Sequence, residues 1–240
     1  MYVTLRMNLL KKRYLQPEIM DGPGLERGLH HRALQGLRRI NVLSRVVDQI
    51  FDVLAPFVEK KRGRLKILDV ATGGGDIPIA LAKKAEWHFM PLEIDACDKS
   101  ETAVEYARSF AEKKNARVRF FSLDVLEDDI PENYDVIVSN LFLHHLSILE
   151  TQEFLKKISK RAGCGIVVND LERCWPGFIL ASSIPPLLTT SAVVHQDGIQ
   201  SVRAAYSIRE IKRIAEDSGL RDAQIKSAWP FRYRLLWMKK

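Results

Sequence analysis

Ile67-Leu68-Asp69-Val70-Ala71-Thr72-Gly73-Gly74-Gly75-Asp76 is the stretch that decides the fold of this chain. The apolar run over 65–71 reads as a buried strand, and the glycines then turn the chain into a helix expected over about 77–85. Asp76 stands where it can cap that helix, and Pro78 is tolerated in a first helical turn. A strand that ends in glycines lets a ligand approach the backbone without side-chain obstruction. The dinucleotide fingerprint G-x-G-x-x-G is incomplete, because Pro78 takes its third glycine position. No Gly-Lys-Ser or Gly-Lys-Thr follows, which excludes a P-loop.

Downstream the pattern alternates. Strands are expected over 91–97, 117–123, 134–139 and 165–169, and helices over 100–114, capped by Ser100, and 153–161. Ser207 and Glu210 form a capping-box pattern before Ile211 and Ile214, and Gly219 can end that helix. Two last strands, 222–228 and 232–238, flank Trp229-Pro230. The expectation is an α/β fold with a seven-stranded, mostly parallel sheet covered by helices on both faces. Upstream, an Asp21-Gly22-Pro23-Gly24 turn precedes a helix over 25–40. A second amphipathic helix over 43–54 leads to Lys60-Lys61-Arg62-Gly63, which suits a helix C-terminus. The division is therefore a helical arm over 1–63 and a core over 64–240, with 171–206 as an insertion that breaks the alternation.

The chain has 240 residues, 46% of them hydrophobic and 28% charged, which fits a globular protein with a sizeable core and excludes disorder and collagen-like repeats. Its net charge of +7 is unevenly placed: residues 1–66 hold 14 basic and 6 acidic side chains, so the whole excess lies over the arm and the first residues of the core. Such an arm can face an anionic ligand, an acidic substrate, nucleic acid or a membrane, or be a solvated helical face. Cys97, Cys164 and Cys174 form neither a disulfide framework nor a cluster with metal-ligand spacing, so no metal is expected. The opening 1–13 lacks the apolar core of a secretory signal, and a cytoplasmic location is the expectation. The uncharged stretch 177–194 is barely long enough to span a bilayer and is interrupted by Pro185-Pro186, so it reads as a buried or substrate-covering segment and no transmembrane span is expected.

With an acidic residue on the strand and Thr72-Gly73-Gly74-Gly75 in the turn, the decisive stretch resembles motif I of the class I S-adenosylmethionine-dependent methyltransferases, which usually reads D-x-G-x-G-x-G. Asp69, Gly73 and Gly75 match, and Ala71 stands at the first glycine, as in the quinone-biosynthesis C-methyltransferase branch. The resemblance continues to the C-terminus. It implies a Rossmann-like fold, S-adenosyl-L-methionine as cofactor and S-adenosyl-L-homocysteine as product. It also implies a ribose-binding carboxylate at Asp98, next to Lys99, and an adenine site at Asp124 and Val125. The strand ending Ser139-Asn140 would pass under the methionine part. Read alone, Asp98 is more often a helix-capping or surface residue, and with Glu127, Asp128 and Asp129 beside it Asp124 can belong to a solvated acidic loop. In the arm, Glu18-Ile19-Met20-Asp21 and Arg39-Ile40-Asn41 resemble a polyketide-associated methyltransferase group, which would make the arm a lid with Arg39 or Asn41 near the cofactor carboxylate.

Methyl transfer to an oxygen or an activated carbon needs a base. His144 and His145, at the carboxyl edge of strand four, are candidates, with a purely structural role equally open. His195 is a second candidate, with Asp170 and Glu172 behind it, while His30 and His31 read as helix-surface residues. Phe178, Ile179, Leu180, Ile184, Leu187 and Leu188 in the insertion fit a hydrophobic or aromatic small-molecule acceptor, most simply a phenol, quinone or polyketide methylated at oxygen. Two other readings stand beside this one: an RNA methyltransferase using the basic arm, and a catalytically silent member of the fold. Against the first, Asn140-Leu141-Phe142 lacks the Pro-Pro-aromatic signature of many amino-group methyltransferases, and the basic residues are not interleaved with aromatics, so nucleic acid is not the expected partner.

Overall fold

The structure is a computed structural model, described over residues 9–22, 24–61 and 63–240. The first eight residues of the arm, Pro23 of the expected turn and Arg62 of the basic helix end lie outside the described residues.

Seven strands form one sheet: β1 (Leu65–Val70), β2 (Leu92–Asp98), β3 (Val118–Ser122), β4 (Val136–Asn140), β5 (Gly165–Leu171), β6 (Gln224–Ala228) and β7 (Arg232–Met238). Their order is β3-β2-β1-β4-β5-β7-β6. The first five are parallel, and β7 runs antiparallel to both β5 and β6. The chain winds outward from β1 through β2 to β3 and then returns to place β4 on the other side of β1. A crevice opens at such a reversal, beyond the carboxyl ends of β1 and β4.

Alternation along β1 sends its apolar side chains to two cores. Leu65 and Ile67 pack with Val136, Val138 and Val167 against one helical layer; Leu68 and Val70 pack with Ile137, Ile166 and Val168 against the other. The second layer holds α5 (Ile148–Arg161) and α9 (Ile208–Asp217), through Phe154, Leu155, Ile158, Ile211 and Ile214. The first contains α3 (Asp76–Trp87) and also α2 (Val46–Lys61), whose Val46, Ile50, Leu54 and Phe57 are fully buried. The helices before β1 therefore divide in two: α2 belongs to the sheet's own covering layer, whereas α1 (Arg27–Leu43) does not touch that core.

Helix ends follow local chemistry. Ser100 caps α4 (Glu101–Lys114) by accepting from the Ala103 N–H, and Ser207 and Glu210 form the expected reciprocal box. The helix α5 starts earlier than expected because Ser147 and Glu150 form a second capping box. Asp76 does not cap α3. Gly75 occupies that position with φ +71°, and the Asp76 carboxylate accepts from Asn41 Nδ2 at 3.1 Å.

The insertion folds as α6 (Trp175–Ser183), α7 (Pro185–Leu188) and α8 (Ala192–Ala204). No helix among the described residues is long and apolar enough to cross a membrane. Ala33 of α1 packs on Val193 and Val194 of α8, and Gly36 meets Thr189 so closely that a Cβ would lie 2.8 Å from its hydroxyl oxygen. With α4 lying outside β2 and β3, the insertion and the arm meet above the crevice.

Candidate active site

The glycine turn is shaped by positive φ at Ala71 (+54°), Gly73 (+55°) and Gly75 (+71°). Gly73 faces open space, the nearest side-chain atom to a notional Cβ being Leu34 Cδ2 at 3.8 Å. At Gly75 a Cβ would sit 2.7 Å from Phe120 and 2.8 Å from Ala107. Gly75 thus brings helix and sheet together and is not on the cleft wall, whereas Ala71, Thr72 and Gly73 are. Asp98 fixes the turn to the end of β2: its two carboxylate oxygens accept from the Gly73 N–H at 2.7 Å and the Ser100 N–H at 2.9 Å.

The turn opens onto a cleft of about 1340 Å³. Asp69, Asp98, Lys99, Asp124, Val125, Asn140, His144 and His145 all line it, so most of the expected site residues meet in one place. Near the turn the wall is acidic. Asp69 is 3% exposed, and burial pushes its carboxyl up to about 7, with Asp76 and Asp98 adding to the effect against the Thr72 hydrogen bond. Burial also raises Asp76 and Asp98. Asp69 Oδ1 and Asn140 Oδ1 are buried without a hydrogen-bond partner, at the carboxyl ends of β1 and β4. Buried acceptors of this kind are costly to leave unmet and suit a cationic or hydrogen-donating ligand.

The other polar end of the cleft is built around two imidazoles. His144 is 3% exposed; its Nδ1 lies 2.6 Å from Asp170 Oδ1 and its Nε2 3.4 Å from Glu18 Oε1. Burial alone would lower the His144 pKa, but Asp170 and Glu18 outweigh it and push it up to about 10. Burial likewise opposes ionisation of Asp170, Glu18 and Asp21, and the facing histidines hold all three below the ordinary carboxyl range. His145 Nδ1 is 2.9 Å from Asp21 Oδ2, while its Nε2 is 3.9 Å from Glu18 Oε2, beyond hydrogen-bond reach. The two rings lie 4.2 Å apart.

Several expectations are corrected. Arg39 is exposed, donates to the Leu188 carbonyl at 2.7 Å and does not line the cleft; Asn41 does. His195 is also off the cleft, its Nε2 donating to the Thr189 carbonyl at 2.7 Å in a helix-end contact. Asp170 is not behind His195 but behind His144, and Glu172 bridges to Tyr206. His30 lines the cleft, while His31 packs on Tyr106. Of the six apolar insertion residues expected to meet an acceptor, Leu180 and Ile184 reach the cleft; Ile179 and Leu187 are 61% and 79% exposed.

The arm's charge points elsewhere too. Among its described residues no Lys or Arg lines the cleft. Arg13 donates to Tyr206 Oη at 2.7 Å and to the carbonyls of Ala204 and His144, Arg27 pairs with Glu105, and Lys61 pairs with Asp135. What the arm contributes to the cleft is acid, as Glu18 and Asp21. The segment carrying them is tied to α8, because the Asp197 carboxylate accepts from the N–H groups of Ile19 (2.9 Å) and Met20 (3.0 Å) and the Tyr14 N–H donates to the Arg203 carbonyl.

The sequence profile of the methyltransferase-domain family matches residues 67–162, from β1 to the end of α5. Residues 67–162 are those of a class I methyltransferase domain. Among curated proteins, the domain is similar to the release factor glutamine methyltransferase of Lactococcus lactis, with 41% identity over 34% of this chain and 28% of that protein. It is also similar to the ubiquinone biosynthesis O-methyltransferase of Rickettsia akari, with 24% identity over 52% of this chain and 45% of that protein. The chain thus spans less than half the length of either. Among solved structures, human N-acetylserotonin methyltransferase in complex with S-adenosylmethionine superposes with a TM-score of 0.65 at 19% identity, covering 89% of this chain and 56% of that one, a likeness of fold.

Glu18, Asp21 and Arg232, which lie outside the matched methyltransferase-domain residues, are among the cleft residues to which the sequence assigned no role. Arg232 is 2% exposed and donates to Asn41 Oδ1 at 3.1 Å and Asn169 Oδ1 at 3.4 Å, and burial lowers its pKa to about 10. It opens β7 just after the Trp229-Pro230-Phe231 turn, a local signal that the sequence carries for this position.

Proposed function

We propose that this protein is an S-adenosylmethionine-dependent methyltransferase of a small hydrophobic or aromatic acceptor, phenolic, quinone-like or polyketide-derived, methylated at oxygen. The observation that carries the reading is one cleft with two chemically different ends, an acidic glycine turn and an imidazole-carboxylate cluster, joined by the apolar side chains of the insertion and the arm.

The turn end fits the cofactor. Asp98 has the place for the ribose hydroxyls, Asp124 and Val125 for the adenine, and the unmet Asp69 and Asn140 oxygens for the ammonium. Lys99 stands beside them. When bound, S-adenosylmethionine supplies a methyl group already made electrophilic by its sulfonium. What remains for the chain is to hold an acceptor in line, exclude water and remove the acceptor's proton. Leu34, Leu37, Leu180 and Ile184 supply the apolar enclosure, and His144, His145 and Glu18 the polar groups that receive the hydroxyl.

The release-factor relatives raise protein methylation as a competitor. Their likeness covers a third of this chain, and the apolar enclosure favours a small acceptor over an extended peptide. The test is transfer of labelled methyl from S-adenosylmethionine to a panel of hydroxylated aromatics, with a release-factor peptide as the comparison. Labelling of at least one aromatic is expected; cofactor binding without transfer to any of them, or labelling of the peptide alone, overturns the reading.

A further inference from the structure

Glu18, His144 and His145 each offer one ligand atom, and the three atoms lie within 4.8 Å of one another. Each imidazole is held from behind by its own carboxylate: Asp170 at 2.6 Å from His144 Nδ1 and Asp21 at 2.9 Å from His145 Nδ1. An ionised carboxylate can only accept, so Nδ1 carries the hydrogen in both rings and Nε2 is the nitrogen turned to Glu18. Outer carboxylates that fix ring and tautomer in this way are the usual support of metal-binding histidines. His144 Nε2 lies 3.4 Å from Glu18 Oε1 and His145 Nε2 3.9 Å from Glu18 Oε2, so a small inward movement of the side chains brings the set to the ~3.3 Å that two ligands ~2.0 Å from a tetrahedral ion would show. Three carboxylates also face only two imidazoles, and among the described residues no Lys or Arg forms an ion pair with Glu18, Asp21 or Asp170.

We propose that Glu18, His144 and His145 bind one divalent ion of the zinc class, with its open position facing the cleft for a hydroxyl-bearing acceptor. Two imidazole nitrogens and one carboxylate oxygen suit Zn²⁺, Co²⁺ or Fe²⁺; Mg²⁺ and Ca²⁺ favour all-oxygen sets. The ion takes the place of the hydrogen at His144 Nε2, which passes to solvent. Only the acceptor's role rests on the function proposed above; the ion's binding does not.

The full chain, treated with chelator, is titrated with cobalt(II) and followed by visible absorption, with zinc(II) as competitor. One equivalent of cobalt giving an intense tetrahedral spectrum that zinc removes is the expected result. Glu18→Gln and His145→Ala lose the spectrum, Asp21→Asn weakens binding roughly 10- to 100-fold, and His88→Ala, an exposed histidine away from the cleft, keeps it. Binding of S-adenosylhomocysteine by each variant shows that the fold persists. Absence of saturable cobalt binding in a protein that binds S-adenosylhomocysteine overturns the metal site and leaves the methyltransferase reading standing. Retention by Glu18→Gln, or equal loss in His88→Ala, overturns it as well. Stoichiometric cobalt with no methyl transfer supports the site and counts against the acceptor reading alone.

Discussion

Asp170 holds His144 at two points: its Oδ1 is 2.6 Å from the ring Nδ1, and its Oδ2 accepts the His144 backbone N–H at 3.2 Å. The carboxylate ends β5 and the histidine follows β4, so two adjacent parallel strands fix the ring's position and its tautomer together.

Asp170→Asn keeps the shape but removes the ionic partner. Methyl transfer is expected to fall about 100-fold, within the range by which proton-handling groups contribute, while affinity for S-adenosylhomocysteine is unchanged. Initial rates and calorimetric titration of one preparation make the distinction; a parallel loss of cofactor binding would mean that Asp170 supports the whole cleft.

Asp98→Ala removes the acceptor for two backbone N–H groups in the glycine turn. Affinity for S-adenosylhomocysteine should drop by at least about tenfold, or ~1.4 kcal/mol. An unaltered dissociation constant would place the ribose elsewhere.

The two glycines of the turn with positive φ, Gly73 and Gly75, separate packing from binding. Gly75→Ala forces a Cβ to within 2.7 Å of Phe120 as well as into a left-handed conformation, and should cost about 2–4 kcal/mol in urea denaturation. Gly73→Ala meets nothing closer than 3.8 Å and should cost only ~1 kcal/mol. Its cost should instead appear in cofactor affinity, and equal destabilisation by both substitutions would contradict the packing described.

Asp69 gives the protein a pH signature. Its folded pKa of about 7 lies above the ordinary 3.8, so the unfolded chain releases this proton first. Stability from this group is full below pH 3.8 and is lost as pH rises to about 7. Each tenfold difference in proton affinity is worth about 1.4 kcal/mol. Asp69→Asn should therefore be more stable than the parent at pH 8 and no more stable at pH 4, by urea midpoints measured without cofactor. No difference in pH dependence between the two would show that Asp69 ionises freely.

What the sequence made legible was whatever local chemistry decides. The β1 run, its glycines, the Ser100 cap and the Ser207-Glu210 box each act within a few residues, and each stands where expected. Asp98, Asp124 and Asn140 were legible through their register after successive parallel strands, because such strands end at one edge. The partners of His144 were not. Glu18 is over a hundred residues away and reaches the ring only because the arm returns across the sheet edge. Arg39 misled for the opposite reason: one helical turn decides which of 39 and 41 faces inward, and only the packing of α1 on α7 and α8 fixes that turn. The arm's positive charge did not identify a ligand, because Arg13, Arg27 and Lys61 are met by carbonyls, a tyrosine and acidic partners outside the cleft.

The Asp197 carboxylate's grip on the N–H groups of Ile19 and Met20 joins two parts of the chain far apart in sequence into one roof. Such a roof swings on a single hinge more cheaply than it splits, since splitting breaks the bonds to Asp197 and the Tyr14 link to Arg203 at once. A ligand that enters beneath this roof would then displace both parts of the chain together, and neither part alone would open the cleft.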